Sequence, residues 1–202
     1  VSKHLKGTSL AGGSNIHQRV ENDFYATDPK SVEDLLINYD IDGSSFYEPC
    51  CGQGHISKVL EWYYPKAKHY ASDLVYRGYG QGNIDFLNTS INNLPIKGKK
   101  VDWIITNPPF KLAQEFIDKS LQLTNIGVAI FLKIQFLEGQ KRKEWHQKLP
   151  LNFVYVFSSR QLVLNNGERI NPKTGKEWSS TMCFAWFIWK HGYSGEPIIR
   201  WV

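Results

Sequence analysis

The chain has 202 residues, 42 % of them hydrophobic and 14 % aromatic, which is enough apolar material for one folded domain and too much for a disordered chain. Lys and Arg number 24 against 19 acids, a formal charge of +5 that admits a polyanionic partner without requiring one. Cys50, Cys51 and Cys183 fit neither a disulfide scaffold nor a zinc-ligand spacing, no apolar run reaches the ~18 residues of a membrane span, and no signal peptide is read, so the cytoplasm is the expected compartment.

Residues 1–21 hold Gly7, Gly12 and Gly13 and little periodicity, and read as a flexible arm ahead of a single domain over 22–202. In "ENDFYATDPKSVEDLLINY" a helix emerges, with Thr27 or Asp28 as cap, Pro29 in the first turn, and Val32, Leu35 and Leu36 at helical spacing. Next, "SFYEPC" reads as a strand, "GHISKVLEWYY" as a helix and "KHYASDL" as a strand. "GYGQGN" reads as a loop and "NIDFL" as a short extended piece. "VDWIIT" is a strand, "KLAQEFIDKSLQLT" a helix and "GVAIFLK" a buried strand. Alternating helices and continuous apolar strands predict an α/β fold, a mostly parallel sheet covered on both faces. The last third changes character. "NFVYVFSS" and "TMCFAWFIWKHG" predict an antiparallel pair, separated by a polar, turn-prone stretch with Arg160, Arg169, Lys173 and Lys176.

"EPCCGQGHI" joins the first of these strands to a helix, and Gly52 and Gly54 let the backbone turn tightly or approach a ligand. Asp73 ends the next strand, at about the 20-residue interval at which an acid meets ribose hydroxyls in nucleotide-binding folds. Glu48, Asp73 and Asp85 would then line one sheet edge. There is no Gly-Lys-Ser/Thr, and Ser57 stands where a dinucleotide fingerprint has its third glycine. A cofactor with ribose and adenine but no pyrophosphate fits these residues better. Read without a ligand, the same stretch is a tight turn.

"NPPF" follows the next strand. An exocyclic amine on an aromatic ring is a poor nucleophile because its lone pair is delocalised. Acceptors at its two N–H bonds favour a pyramidal, more nucleophilic nitrogen. The Asn107 side chain and the Pro108 carbonyl, stiffened by Pro109, can supply them, and Phe110 can stack on the ring. An electrophilic methyl on a ribose- and adenine-bearing cofactor is that of S-adenosylmethionine. The alternative is a rigid strand-ending turn with a core phenylalanine.

The ordered series "FYATDPKSVEDLL", "FYEPCCGQGHI", "ASDL", "IDFL" and "IITNPPF" resembles the amino-group, S-adenosylmethionine-dependent methyltransferases. The likeness is closest to small phage-type adenine-N6 DNA methyltransferases, and "FLEGQKR" and "FAWFIWKHGYSGEPIIRWV" extend it. The resemblance implies a Rossmann-like sheet of seven strands. It implies cofactor contacts at Tyr25, Thr27, Glu48, Pro49, Cys50, Gly52, Gly54, Asp73, Leu74, Asp85, Phe86 and Asn107, and a catalytic set of Asn107, Pro108, Pro109 and Phe110. Cys50 and Cys51 stand where small residues are common, and Asp28 where Pro is frequent. If phage-encoded, the protein would act in a bacterial host's cytoplasm.

"EGQKRKEWHQK" carries Lys141, Arg142, Lys143 and Lys148 around Trp145 and His146, and reads as a solvated surface helix or a phosphate-contacting rim. A target base in duplex DNA would be flipped onto Phe110, with Phe24 or Tyr25 completing the sandwich. Arg160, Arg169 and Lys173 would face it. No sizeable target-recognition domain follows, so short or relaxed sequence specificity is expected. The same chemistry suits adenine in RNA, the less expected partner, or a protein glutamine. An inactive cofactor- or nucleic-acid-binding protein is a further alternative.

Overall fold

The computed structural model describes residues 25–161, 163–165, 170, 175–176 and 182–202. The arm over 1–21, Phe24, Arg169 and Lys173 lie outside the described residues. The chain runs β1 (Tyr25–Thr27), α1 (Pro29–Asn38), β2 (Ser45–Glu48), α2 (His55–Tyr63), β3 (Lys68–Ala71) and β4 (Val101–Thr106). It continues with α3 (Ala113–Leu123), β5 (Thr124–Lys133), α4 (Gln140–Lys148), β6 (Leu151–Val156), β7 (Val163–Asn165), β8 (Phe184–Lys190) and β9 (Ile198–Trp201).

Seven strands form one mixed sheet in the order β3-β2-β4-β5-β8-β6-β9. Only β8 runs against its neighbours, β5 and β6; the other pairings are parallel. The strand period of two sorts the side chains. Trp103, Ile105 and Phe131 pack with Val32 and Leu35 of α1 and Ile56 and Leu60 of α2. On the opposite face, Val128, Ile130 and Leu132 meet Ala113, Ile117 and Leu121 of α3. Both faces of the central strands are therefore dry, which is why "VDWIIT" and "GVAIFLK" are apolar runs rather than alternations.

The α1 cap is Asp28, whose Oδ1 accepts from Lys30 N at 3.0 Å, with Pro29 in the first turn. Three expectations change. "NIDFL" is not in the sheet. Asp85 Oδ1 accepts from the backbone N–H of Leu87 and Asn88, which bends the chain into a side-chain-closed turn. The seventh strand is instead β9, parallel to β6 and outside the antiparallel pair. Within the stretch read as polar loop, β7 pairs antiparallel with β1 as a separate ribbon. Among the described residues no helix is long and apolar enough to cross a membrane.

Candidate active site

The carboxyl ends of β2, β3 and β4 meet at one edge. The β2–β3 ladder runs on into the glycine turn: Ser72 N donates to Glu48 O, and Cys51 N to Ser72 O, both at 2.9 Å. Gly52 and Gly54 have φ of +52° and +79°, the left-handed region that glycine enters without strain. Asp73 grips this turn directly. Its Oδ2 accepts from Gly52 N at 2.8 Å and its Oδ1 from Val75 N at 3.0 Å. The spacing between glycine turn and acid thus corresponds to a real contact. Each oxygen keeps a further lone pair for a ligand hydroxyl.

Glu48 does something other than face an open cleft. It is 3 % exposed, and its Oε2 accepts from both the N–H and the hydroxyl of Ser57 in the first turn of α2. Burial pushes its carboxyl well above the usual range, and the Ser57 donors work against that shift. Pro49 is buried behind it and Cys50 half-buried. Burial first, then the Asp73 and Glu48 carboxylates, hold the Cys50 thiol in its neutral form.

The loop after Asp73 has a part that the sequence did not announce. A Cβ on Gly54 would lie 2.5–2.7 Å from the Tyr79 ring. The Tyr79 hydroxyl donates to Glu61 Oε1, and Lys58 Nζ stands 5.5 Å from the ring centroid. "GYGQGN" is therefore a loop, as read, and one folded onto the glycine turn. Leu74, 53 % exposed, is open beside Asp73. Phe86 is not: it is 2 % exposed, with its ring against Phe116 and Tyr47. This ring, one of the cofactor contacts that the resemblance implies, is packed in the core.

The β2–β4 register pairs Phe46 with Trp103 and Tyr47 with Ile104, so Asn107 emerges at the same edge as Glu48. Its Nδ2 donates to Tyr25 O at 3.0 Å and to Thr27 Oγ1 at 3.1 Å. The amide nitrogen is thereby spent on β1, and the carbonyl Oδ1 keeps its acceptor capacity. Thr27 is buried and Tyr25 exposed. Pro108 is buried, and among the described residues no donor takes its carbonyl. The Pro109 carbonyl accepts from Leu112 N at 2.9 Å, closing the short turn that carries Phe110. The half-buried Phe110 ring leans on Phe184, with centroids 5.9 Å apart. Lys133 Nζ, from the last residue of β5, stands 4.9 Å from its centroid. Sequence reasoning missed Lys133. The signal was a lone cation ending an apolar strand next to β4.

On the expected rim, Lys141, Lys143 and Arg160 are exposed. Arg142 is turned inward. Its Nε and Nη2 donate to Glu138 O and its guanidinium lies over Phe136, so it braces a turn rather than facing solvent. Trp145 likewise packs inward, with Nε1 donating to Asp118 at 2.8 Å.

No family model matches the chain, and no curated protein matches it. Solved structures do. The modification subunit of a candidate type I restriction enzyme from Vibrio vulnificus is 13 % identical with a TM-score of 0.60, over 96 % of this chain and 49 % of that one. A candidate RNA methyltransferase from Pyrococcus horikoshii is 12 % identical with a TM-score of 0.56, over 82 % and 86 %. A predicted O-methyltransferase from Agrobacterium tumefaciens is 10 % identical with a TM-score of 0.52, over 83 % of each chain. The chain spans about half the length of the modification subunit. At these identities the likeness is one of fold: the chain has the Rossmann-like α/β fold of the proteins so described.

Proposed function

We propose that the protein is an S-adenosylmethionine-dependent methyltransferase that modifies the exocyclic N6 of adenine in DNA. The observation that carries this is the anchoring of Asn107. With the amide nitrogen held by Tyr25 O and Thr27 Oγ1, the side chain presents an acceptor and no donor to the site. That suits an N–H bond of the target amine and would repel a target oxygen. The Pro108 carbonyl offers the second acceptor, and the Phe110 ring a surface for a flat base.

The glycine turn fits the cofactor. Its left-handed glycines leave backbone close to the edge, Asp73 keeps acceptor capacity for ribose hydroxyls, and Leu74 is open to an adenine face. When bound, S-adenosylmethionine supplies an electrophilic methyl carbon and leaves as the thioether. Asn107 and Pro108 orient the target nitrogen towards that carbon and accept from its N–H bonds as positive charge develops there. No strong base is needed before attack, and the proton lost afterwards passes to solvent. DNA as substrate draws support from the motif order and from the modification subunit that shares the fold. RNA adenine and protein glutamine present the same planar nitrogen and are the rival acceptors.

Labelled cofactor with unmethylated DNA, single- and double-stranded, with RNA and with a glutamine peptide, followed by product analysis, tests the reading. N6-methyladenine in DNA is the expected product. Asn107→Ala is expected to abolish transfer with cofactor affinity within a few-fold of the parent, and Asp73→Ala to weaken cofactor affinity first. Transfer only to RNA or to the peptide would overturn the DNA assignment, and no transfer to any of them would overturn the activity.

A further inference from the structure

At the opposite end of the sheet, two adjoining hollows open beside the amino ends of β2, β3 and β4. One, of about 370 Å³, is walled by Tyr63, Tyr64 and Pro65. The other, of about 230 Å³, is walled by Tyr70 and by Lys66, Lys68, Lys99 and Lys100. They share Ser44 and Lys66 as a common wall, so the two together make one stretch of surface, the cleft. Neither lining contains a carboxylate. Asp102, which holds Ser44 of the lining, is occupied: it accepts from Ser44 N at 2.8 Å, Ser44 Oγ at 3.0 Å and Asn125 Nδ2 at 3.4 Å. All four lysines are exposed, and among the described residues none is in an ion pair. Trp62, 76 % exposed, stands edge-on to Tyr63 at 4.9 Å and adds a flat surface at the aromatic mouth.

We propose that this cleft is a binding site for single-stranded nucleic acid, separate from the acceptor pocket. The division of labour is chemical. Ammonium groups without carboxylate partners attract phosphates, and the half-buried Tyr63 ring with the exposed Trp62 beside it can take the faces of unpaired bases, which a duplex keeps stacked inside. The cleft is also polarised. Asp40 and Asp42 lie on the Tyr64 side, where, after burial, they help to raise its hydroxyl pKa. Phosphates therefore sit at the lysine half and bases at the aromatic half. From Val101 in the cleft wall to Asn107 is six residues, which at ~3.3 Å each puts the cleft roughly 20 Å from Asn107. A strand held there is tethered near the site without entering it.

Fluorescence anisotropy with a labelled thymidine homopolymer tests this without cofactor, so its failure is separate from any failure of methyl transfer. Such an oligomer has no adenine to engage the acceptor pocket. The K66A/K68A/K99A/K100A variant is expected to bind at least 10-fold more weakly at low salt. Its slope of log affinity against log salt should flatten by up to about 3, at ~0.7 per lost phosphate contact. Restoring charge with four arginines should restore the slope. Tyr63→Ala should cost about 5- to 100-fold with the slope unchanged. Should the alanine variant fold poorly, hydrogen exchange on the parent protein decides: protection of 62–68 and 97–101 on adding oligomer supports the site. No protection there, unchanged affinity in the quadruple variant, or equal protection of those two segments by a duplex would overturn it. So would displacement by inorganic phosphate at matched ionic strength, which marks a site for small anions.

Discussion

Asn107 shows how much of a site can depend on a contact remote in sequence. Its tetrapeptide is plain to read, but the atoms that fix its amide, Tyr25 O and Thr27 Oγ1, lie about eighty residues upstream. Thr27→Val keeps the shape and removes one acceptor. The amide then holds to Tyr25 alone and can rotate, losing an interaction worth about 1 kcal/mol. Under the proposed activity, kcat is expected to fall up to about 10-fold while Tm falls by no more than about 2–4 °C, as measured by single-turnover transfer and calorimetry. An unchanged kcat would show that the anchor does not orient the amide. Gly54 is a second residue fixed by its neighbours. Gly54→Ala meets both a φ of +79° and the Tyr79 ring. The backbone share is about 1–2 kcal/mol, and displacement of the ring adds to it. Adding Tyr79→Ala should relieve only the second part. Urea titrations of the single and double variants separate the two; equal stability of Gly54→Ala and parent would refute both.

At the scale of elements, α4 separates what charge composition suggests from what geometry permits. Four cations in "QKRKEWHQK" look equivalent, yet Arg142 is folded back on Gln135, Phe136 and Glu138 while Lys141 and Lys143 face solvent. Arg142→Ala is expected to cost about 1 kcal/mol of stability, from hydrogen bonds at a partly exposed site, and to leave the salt dependence of DNA binding unchanged. Lys141→Ala and Lys143→Ala should each lower that slope by about 0.9 on duplex DNA if they touch phosphates. A changed slope for Arg142→Ala would contradict the bracing role. The same contrast explains which elements could be read from sequence. Strands β4 and β5 are apolar on both faces and have no other place to go than mid-sheet, and α1 carries its cap and its proline in order. The stretch 84–87 looked extended because Phe86 faces the core, but the Asp85 carboxylate bends the backbone out of the ladder. β9 carried no burial signal, since Ile198, Ile199 and Trp201 are all exposed; only its pairing with β6 makes it a strand. β7 is likewise defined by its partner β1, far away in sequence.

For the whole molecule, the two ends of the sheet differ in how charge is carried: lysines open to water at one, a carboxyl enclosed at the other. The enclosed one links stability to pH. The folded state raises the Glu48 pKa above its ordinary value of 4.5, because burial disfavours the anion more than the Ser57 donors favour it. The folded chain therefore binds this proton more tightly than the unfolded chain. The resulting stabilisation is complete below pH 4.5 and is lost as the pH rises through the folded value. Glu48→Gln retains an oxygen for the Ser57 N–H and hydroxyl but cannot ionise. It is expected to melt above the parent at pH 8, with the gap closing as the pH is lowered towards 4.5. Calorimetry of both proteins across that range isolates Glu48, because every other titrating group is common to the pair and cancels in the difference. A gap that does not change with pH would mean that the carboxyl keeps the same affinity for its proton folded and unfolded. The glycine turn would then rest on an ordinary acid rather than on one whose hold on its proton is strengthened by burial.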